Sequence, residues 1–144
     1  MDTQQRELSY YSLRLIELLR NSFPDKAEDH TFIDRRSALA ADAYQEAFRA
    51  GHPANQCDYI AYEVLFTGLH FSPFDTLFQV VCNEFDTLMA DEDLRPFAVK
   101  LFPVCQPVFE GYHLHSEFAY SSEYDLLYTE LTGTIAIWIE ENGL

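Results

Sequence analysis

The residues of this chain best suited to chemistry lie close together near position 115, where His113, His115 and Glu117 alternate with other residues. Neutral imidazoles and a carboxylate are ligands for zinc and similar ions, so these three side chains are the candidate metal ligands. A complete site needs a further ligand from elsewhere in the chain, and the sequence does not identify one. One alternative function is therefore a small-molecule or metal-binding enzyme that uses this segment. The favoured interpretation is that the chain holds neither a metal nor another cofactor.

The same segment places aromatic residues beside acidic ones. Tyr112, Phe118 and Tyr120 alternate with Glu117 and Glu123. Aromatic rings bordered by carboxylates can receive Arg or Lys side chains through cation–π contacts and salt bridges together. We take these five residues as candidate contacts for a basic partner. For Tyr112 and Tyr120, burial in the core is an equally good interpretation.

Motifs that would indicate an established enzyme chemistry are missing. The sequence contains no Gly-x-Ser-x-Gly nucleophile turn, no glycine-rich phosphate or dinucleotide loop, and no His-Glu-x-x-His zinc motif. Its three cysteines, Cys57, Cys82 and Cys105, have no Cys-x-x-Cys spacing, so we interpret them as reduced core thiols of a cytoplasmic protein. Acidic neighbours would raise the pKa of Cys82 and Cys105 and make them poor nucleophiles. We therefore assign no catalytic or cofactor-binding residue.

The charge of the chain is strongly negative and unevenly distributed. Twenty-four acidic and nine basic residues give a formal charge of −15, which disfavours direct binding to nucleic acid or to an anionic membrane. Residues 51–144 carry fifteen acids and only two bases, Arg95 and Lys100, whereas residues 1–50 are nearly neutral. The acids could simply cover solvent faces, could form a surface for a basic protein, or could imitate the phosphates of DNA. The leading hypothesis is a non-enzymatic interaction or accessory protein whose acidic surface, within 51–144, meets a basic partner; homodimerisation stays open.

The elements that position these residues are predicted to be helices. Twenty-two of the 144 residues are Phe, Trp or Tyr, which excludes a disordered acidic tail and favours one folded domain over 1–144. Apolar residues recur with a period of 3.6 in six segments, which predicts an all-α domain of six or seven helices. The segments are 9–22, 32–50, 53–68, 72–88, 93–111 and 122–142.

Capping residues and prolines refine these boundaries. Ser72, Pro73 and Asp75 form the clearest helix start, and Thr31 and Ser122 are predicted to cap the second and last helices. Proline at 103 and 107 predicts a kink in the fifth helix, or two short helices that meet near Pro103. The last helix is long and apolar on most sides, and we expect it to be buried nearly all round. Its β-branched stretch 132–139 allows a strand, but no second strand is available to pair with it.

Three segments of the chain resemble a known family. They are ELSYY at 7–11, EVLFTGLHFSPFDTL at 63–77 and FAYSSEYDLLYTELTGTI at 118–135. The resemblance is to an uncharacterised Bacteroidetes family of small all-helical proteins, a domain of unknown function often encoded in mobile or conjugative elements. It covers nearly the whole chain and implies an all-helical fold and a cytoplasmic location. It brings no catalytic residues, since none is established for the family.

Overall fold

The computed structural model describes the backbone of residues 3–144 and the side chains of residues 8–144. Within this part of the chain the regular structure is entirely helical, which confirms the all-α prediction. The stretch 132–139 is helical rather than a strand. The helices are α1 (Thr3–Ser22), α2 (His30–Arg49), α3 (Ala54–Leu65), α4 (Pro73–Glu84), α5 (Asp91–Glu110) and α6 (Glu123–Asn142), with one-turn 3₁₀ helices at Pro24–Lys26, Asp86–Leu88 and Phe118–Tyr120.

The first compact unit, Met1–Leu69, contains α1, α2 and α3, with α2 packed against both others. Small residues dominate the buried face of α2, and they allow close approach of the neighbouring helices. The large apolar side chains of Leu39 and Phe48 lie outside this buried face and are 50% and 62% exposed. The core side chains of this unit are Tyr11, Leu15, Leu19, Phe23, Ile33, Ala40, Ala41, Ala61, Leu65 and Leu69.

The second compact unit, His70–Leu144, contains α4, α5 and α6, each packed against the other two. We call it the acidic unit, because it holds thirteen acidic and two basic residues, a formal charge of −11. Each helix contributes apolar side chains at helical spacing to a shared core. The largest fully buried ones are Phe74, Leu77, Val80, Leu101, Phe118, Leu127, Leu131 and Ile135. The division of 1–144 into domains remains a prediction.

Of the three predicted helix caps, one is correct, one is displaced and one makes no cap hydrogen bond. Ser72 caps α4 as expected, since its Oγ accepts a hydrogen bond from the amide of Asp75 at 2.9 Å. The cap of α2 is Asp29 rather than Thr31, because the Asp29 carboxylate accepts from the amide of Phe32 at 3.1 Å. Ser122 precedes α6 but makes no side-chain cap, and its own backbone is already helical.

The fifth helix is continuous through Pro103, which excludes the alternative of two short helices; a kink at this proline stays a prediction. α5 is one helix of 20 residues that contains Pro96, Pro103 and Pro107. All three prolines are exposed, and their spacing places them on one face of the helix, opposite its buried stripe. A proline removes the amide that would donate to the carbonyl four residues earlier. On a solvent-facing side water can satisfy that carbonyl, so the helix continues.

The last helix is long but is not buried nearly all round, which corrects that prediction. Only Leu127, Leu131 and Ile135 of α6 are fully buried, and they form one stripe. On another side, Leu126 and Ile137 are 60% and 57% exposed. The apolar content of α6 is therefore divided between a core face and a solvent face.

Candidate functional site

The loop between α5 and α6 brings His113 and His115 together without completing a metal site. Their ring centroids lie 5.9 Å apart, and both residues are exposed. The Nδ1 of His115 already accepts a hydrogen bond from the amide of Glu117 at 3.2 Å. Among the residues that the structure describes, no three His, Cys, Asp or Glu side chains converge as ligands. The loop thus provides imidazoles but no third ligand within reach.

Phe118 anchors this loop in the core and is not available to a partner. Its side chain is completely buried, with edge-on ring contacts to Phe71 at 5.2 Å, Tyr112 at 6.0 Å and His115 at 6.0 Å. The prediction that Phe118 is a contact residue is therefore wrong. The physical reason is that this ring packs into the acidic unit's core, where burial removes its apolar surface from water.

Tyr112, Tyr120, Glu117 and Glu123 remain accessible to different degrees. Tyr120 is 86% exposed, and Glu117 and Glu123 are also exposed. Tyr112 is half-buried, and its hydroxyl donates to Oε1 of Glu130 at 2.7 Å. That hydrogen bond raises the pKa of Tyr112 to about 12, with smaller effects from burial and from the charges of Glu130 and Glu123. Four of the five predicted contact residues therefore reach the surface.

A second tyrosine–carboxylate pair, which the sequence did not single out, joins α4 to α6. The Tyr128 hydroxyl donates to Oε1 of Glu84 at 2.9 Å and accepts from the Asn83 amide at 3.3 Å. Burial and Glu84 raise the pKa of Tyr128, while the Asn83 hydrogen bond opposes them. The residues in this pair are 44 positions apart, so no local sequence signal could have found it.

The acidic and the basic side chains of the acidic unit have different surroundings. All thirteen of its Asp and Glu residues are exposed. Its two bases lie over aromatic rings: the Arg95 guanidinium is 5.0 Å from the centroid of Phe74, and the Lys100 ammonium is 5.0 Å from that of Trp138. Two cations cannot balance thirteen exposed carboxylates. The surface of the unit is therefore dominated by negative charge.

Neither of the thiols in the acidic unit has the surroundings of a nucleophile. Burial raises the pKa of Cys105 to about 11. Burial raises the pKa of Cys82 as well, and the charges of Asp86 and Asp91 add to the effect. Cys57 and Cys105 are core residues as predicted, whereas Cys82 is only half-buried. Thiolate chemistry at neutral pH is thus disfavoured at Cys82 and Cys105.

An open groove lies between α1 and α2, but few of its side chains could take part in a reaction. Leu8, Leu13, Asp34 and Ala38 line it together with two serines. Asp34 is the one titratable side chain among the lining residues, so the groove contains no acid–base pair.

No helix in the described part of the chain has the length and apolarity that crossing a membrane requires.

Comparisons with known proteins identify the relatives of this chain but give no activity. The family described as a domain of unknown function, DUF1896, matches residues 3–144. The crystal structure of protein PG0816 from Porphyromonas gingivalis, a Bacteroidetes bacterium, superposes with a TM-score of 0.93 at 40% identity, over 99% of this chain and 97% of that one. A search of curated proteins finds no match. With nearly the full length matched and the same helical fold, the chain belongs to the DUF1896 family.

Proposed function

We propose that this chain is a non-enzymatic interaction or accessory protein whose acidic unit, His70–Leu144, binds a basic protein partner. The observation that carries the proposal is the exposure of all thirteen carboxylates in a unit of formal charge −11. Such a field attracts a cationic surface, accelerates the encounter and fixes its orientation. The lack of a catalytic motif in the sequence and of an acid–base pair in the α1–α2 groove supports a binding role over an enzymatic one.

The cytoplasm is the proposed location of this interaction. Three cysteines, all free, and the buried positions of Cys57 and Cys105 support a reducing compartment, where thiols do not form disulfides. Nucleic acid and anionic membrane are disfavoured as direct partners, since their phosphates carry the same charge as this surface.

Affinity capture with two matched charge variants tests the proposal. One variant converts Asp86, Glu110, Glu117 and Glu123 of the acidic unit to their amides. The control converts the same number of exposed acids in the other unit, namely Glu17, Asp34, Asp42 and Glu46, so both variants carry a formal charge of −11.

The full-length chain is immobilised, exposed to a lysate of the source organism and washed at about 50 mM and about 150 mM salt, where screening lengths differ. We expect wild type and the control to retain a basic protein, most strongly at low salt, and the acidic-unit variant to retain less. Enrichment of no basic protein at either salt, or equal retention by all three chains, would refute the proposed function.

A further inference from the structure

The outer face of α6 combines exposed apolar residues with a glycine that the fold itself does not need. Leu126, Gly133 and Ile137 follow one another at intervals of seven and four residues, which places them on the same side of the helix. All three are exposed, and Ala136 beside them is exposed too. This outer α6 face lies away from the buried stripe of Leu127, Leu131 and Ile135.

Nothing in the structure of this chain requires a glycine at position 133. Its φ is not positive, unlike that of Gly51, Gly68 and Gly143, so its backbone suits any residue. A Cβ built at Gly133 would meet nothing within 4 Å. Glycine in a helix interior is destabilising relative to alanine, because it loses more backbone entropy on folding. A glycine at the centre of an exposed apolar face leaves room for a second backbone to approach closely.

The charges around this face specify the kind of partner. α6 contains five acidic residues and no basic one. Two of them, Glu140 and Glu141, occupy its last turn, where the negative end of the helix disfavours carboxylates. A cation placed there would relieve this repulsion. A second copy of the chain would instead bring two helices of five acids each together, which like-charge repulsion opposes.

From this exposed apolar face, its glycine and the acids around it, we infer that the outer α6 face is the docking site for a cationic amphipathic helix of the partner. Gly133 lies at the point where the two helices come closest. The partner helix would lay an apolar stripe along Leu126, Gly133 and Ile137 and place Lys or Arg at its edges. This inference rests on the proposed function and assigns its contact to one helix face.

The test uses a designed probe and the full-length chain. The probe is a 21-residue peptide of leucine, alanine and lysine, with leucines along one helical face and lysines along both edges. A peptide of the same composition in shuffled order, which has no apolar face, is its control. Binding is measured by fluorescence anisotropy at low and moderate salt, and each variant is checked by circular dichroism and thermal unfolding.

We expect wild type to bind the amphipathic probe at least about tenfold more tightly than the shuffled one, since burial of a few apolar side chains is worth that factor. Gly133→Leu places a large side chain where the partner helix would come closest to α6, so it should weaken binding by at least about tenfold. Gly133→Ala should weaken it less while raising Tm by about 2–6 °C. Ile137→Ser should weaken binding, whereas Val99→Ser on the outer face of α5, where Val99 is 45% exposed, should leave it within about twofold.

Other results overturn the inference in distinguishable ways. Equal binding by wild type and Gly133→Leu, or an equal loss at Val99, would show that α6 is not the contact face. The proposed function would still stand if the lysate's basic protein were retained with the same salt dependence. If wild type binds the two peptides equally, charge alone drives association. A wild-type dimer that Gly133→Leu abolishes would assign the face to a second copy of this chain.

Discussion

Replacement of Arg36 tests whether one side chain of α2 terminates α3. The Arg36 Nη1 donates to three carbonyls at and just beyond the end of α3, those of Val64 at 3.5 Å, Leu65 at 3.2 Å and Thr67 at 2.7 Å. Its guanidinium also lies 4.8 Å from the ring centroid of Phe32. The last carbonyls of a helix have no donors within the helix and form its negative end, so a cation there satisfies both needs.

The magnitude follows from these contacts. A hydrogen bond from a charged donor contributes about 1.5–3 kcal/mol net. The helix-end charge contributes about 0.3–1 kcal/mol and the cation–π contact about 0.5–1 kcal/mol. Since one guanidinium makes all of these contacts, the contributions overlap and do not add. We expect Arg36→Met, which keeps most of the apolar stem, to lower the free energy of unfolding by about 2–3 kcal/mol.

The assay is urea unfolding at 25 °C followed by circular dichroism, with Arg35→Met as the matched control. Arg35 is the exposed neighbour of Arg36 on the same helix, so its replacement should change the free energy of unfolding by less than about 0.5 kcal/mol. Arg36→Lys should fall between wild type and Arg36→Met, because an ammonium lacks the planar fork of donors. If Arg36→Met and Arg35→Met are equally stable, the bridge from α2 to α3 does not hold the end of α3.

Three further outcomes follow from individual side chains. Ser37 is fully buried and its Oγ has no hydrogen-bond partner, so Ser37→Ala should stabilise the chain by about 1–2 kcal/mol in urea unfolding, well beyond the helix-propensity gain of the exposed control Ser9→Ala. The raised pKa of Tyr112, about 12, means that its hydrogen bond stabilises the fold fully below pH 10 and is lost as pH rises towards 12; Tyr112→Phe should therefore remove a late-titrating component from the 295 nm absorbance profile, and an unchanged profile would contradict this. At pH 8 the native chain should expose at most one thiol to Ellman's reagent, that of half-buried Cys82, and Cys82→Ser should abolish this slow reaction; rapid labelling of Cys105 would refute its burial.

Much of the fold could be predicted from local sequence, because the signals are local. The apolar period identified all six helices, and Ser72, Pro73 and Asp75 located the start of α4 to the residue. Local signals are insufficient where a neighbouring helix decides which side chains are buried. Pro103 allowed either a kinked helix or two short ones, and the tertiary structure shows one helix whose proline side faces water. Leu39 and Phe48 are large and apolar, yet they are exposed, and small residues form most of the buried face of α2.

The candidate site could be predicted only in outline. The sequence placed the acids along the chain and paired the loop aromatics with Glu117 and Glu123, but the hydrogen-bond partner of Tyr112 is Glu130 on α6. Burial of Phe118 could not be deduced, because an aromatic residue in a loop serves equally well as an anchor or as a contact. The Arg36 bridge spans about 30 positions, and such pairings depend on which helices become neighbours.

By itself the sequence determined the helical class, the excess of acids after residue 50 and the absence of a recognisable catalytic motif. These properties depend on residue type and short-range spacing, which the chain carries before it folds. Only the tertiary structure decided which faces stay exposed. It placed all the carboxylates of the acidic unit at the surface and buried Phe118, and it left Leu126, Gly133 and Ile137 uncovered on α6. Exposure is a property of packed neighbours, and helical periodicity alone cannot tell which apolar stripe those neighbours will cover.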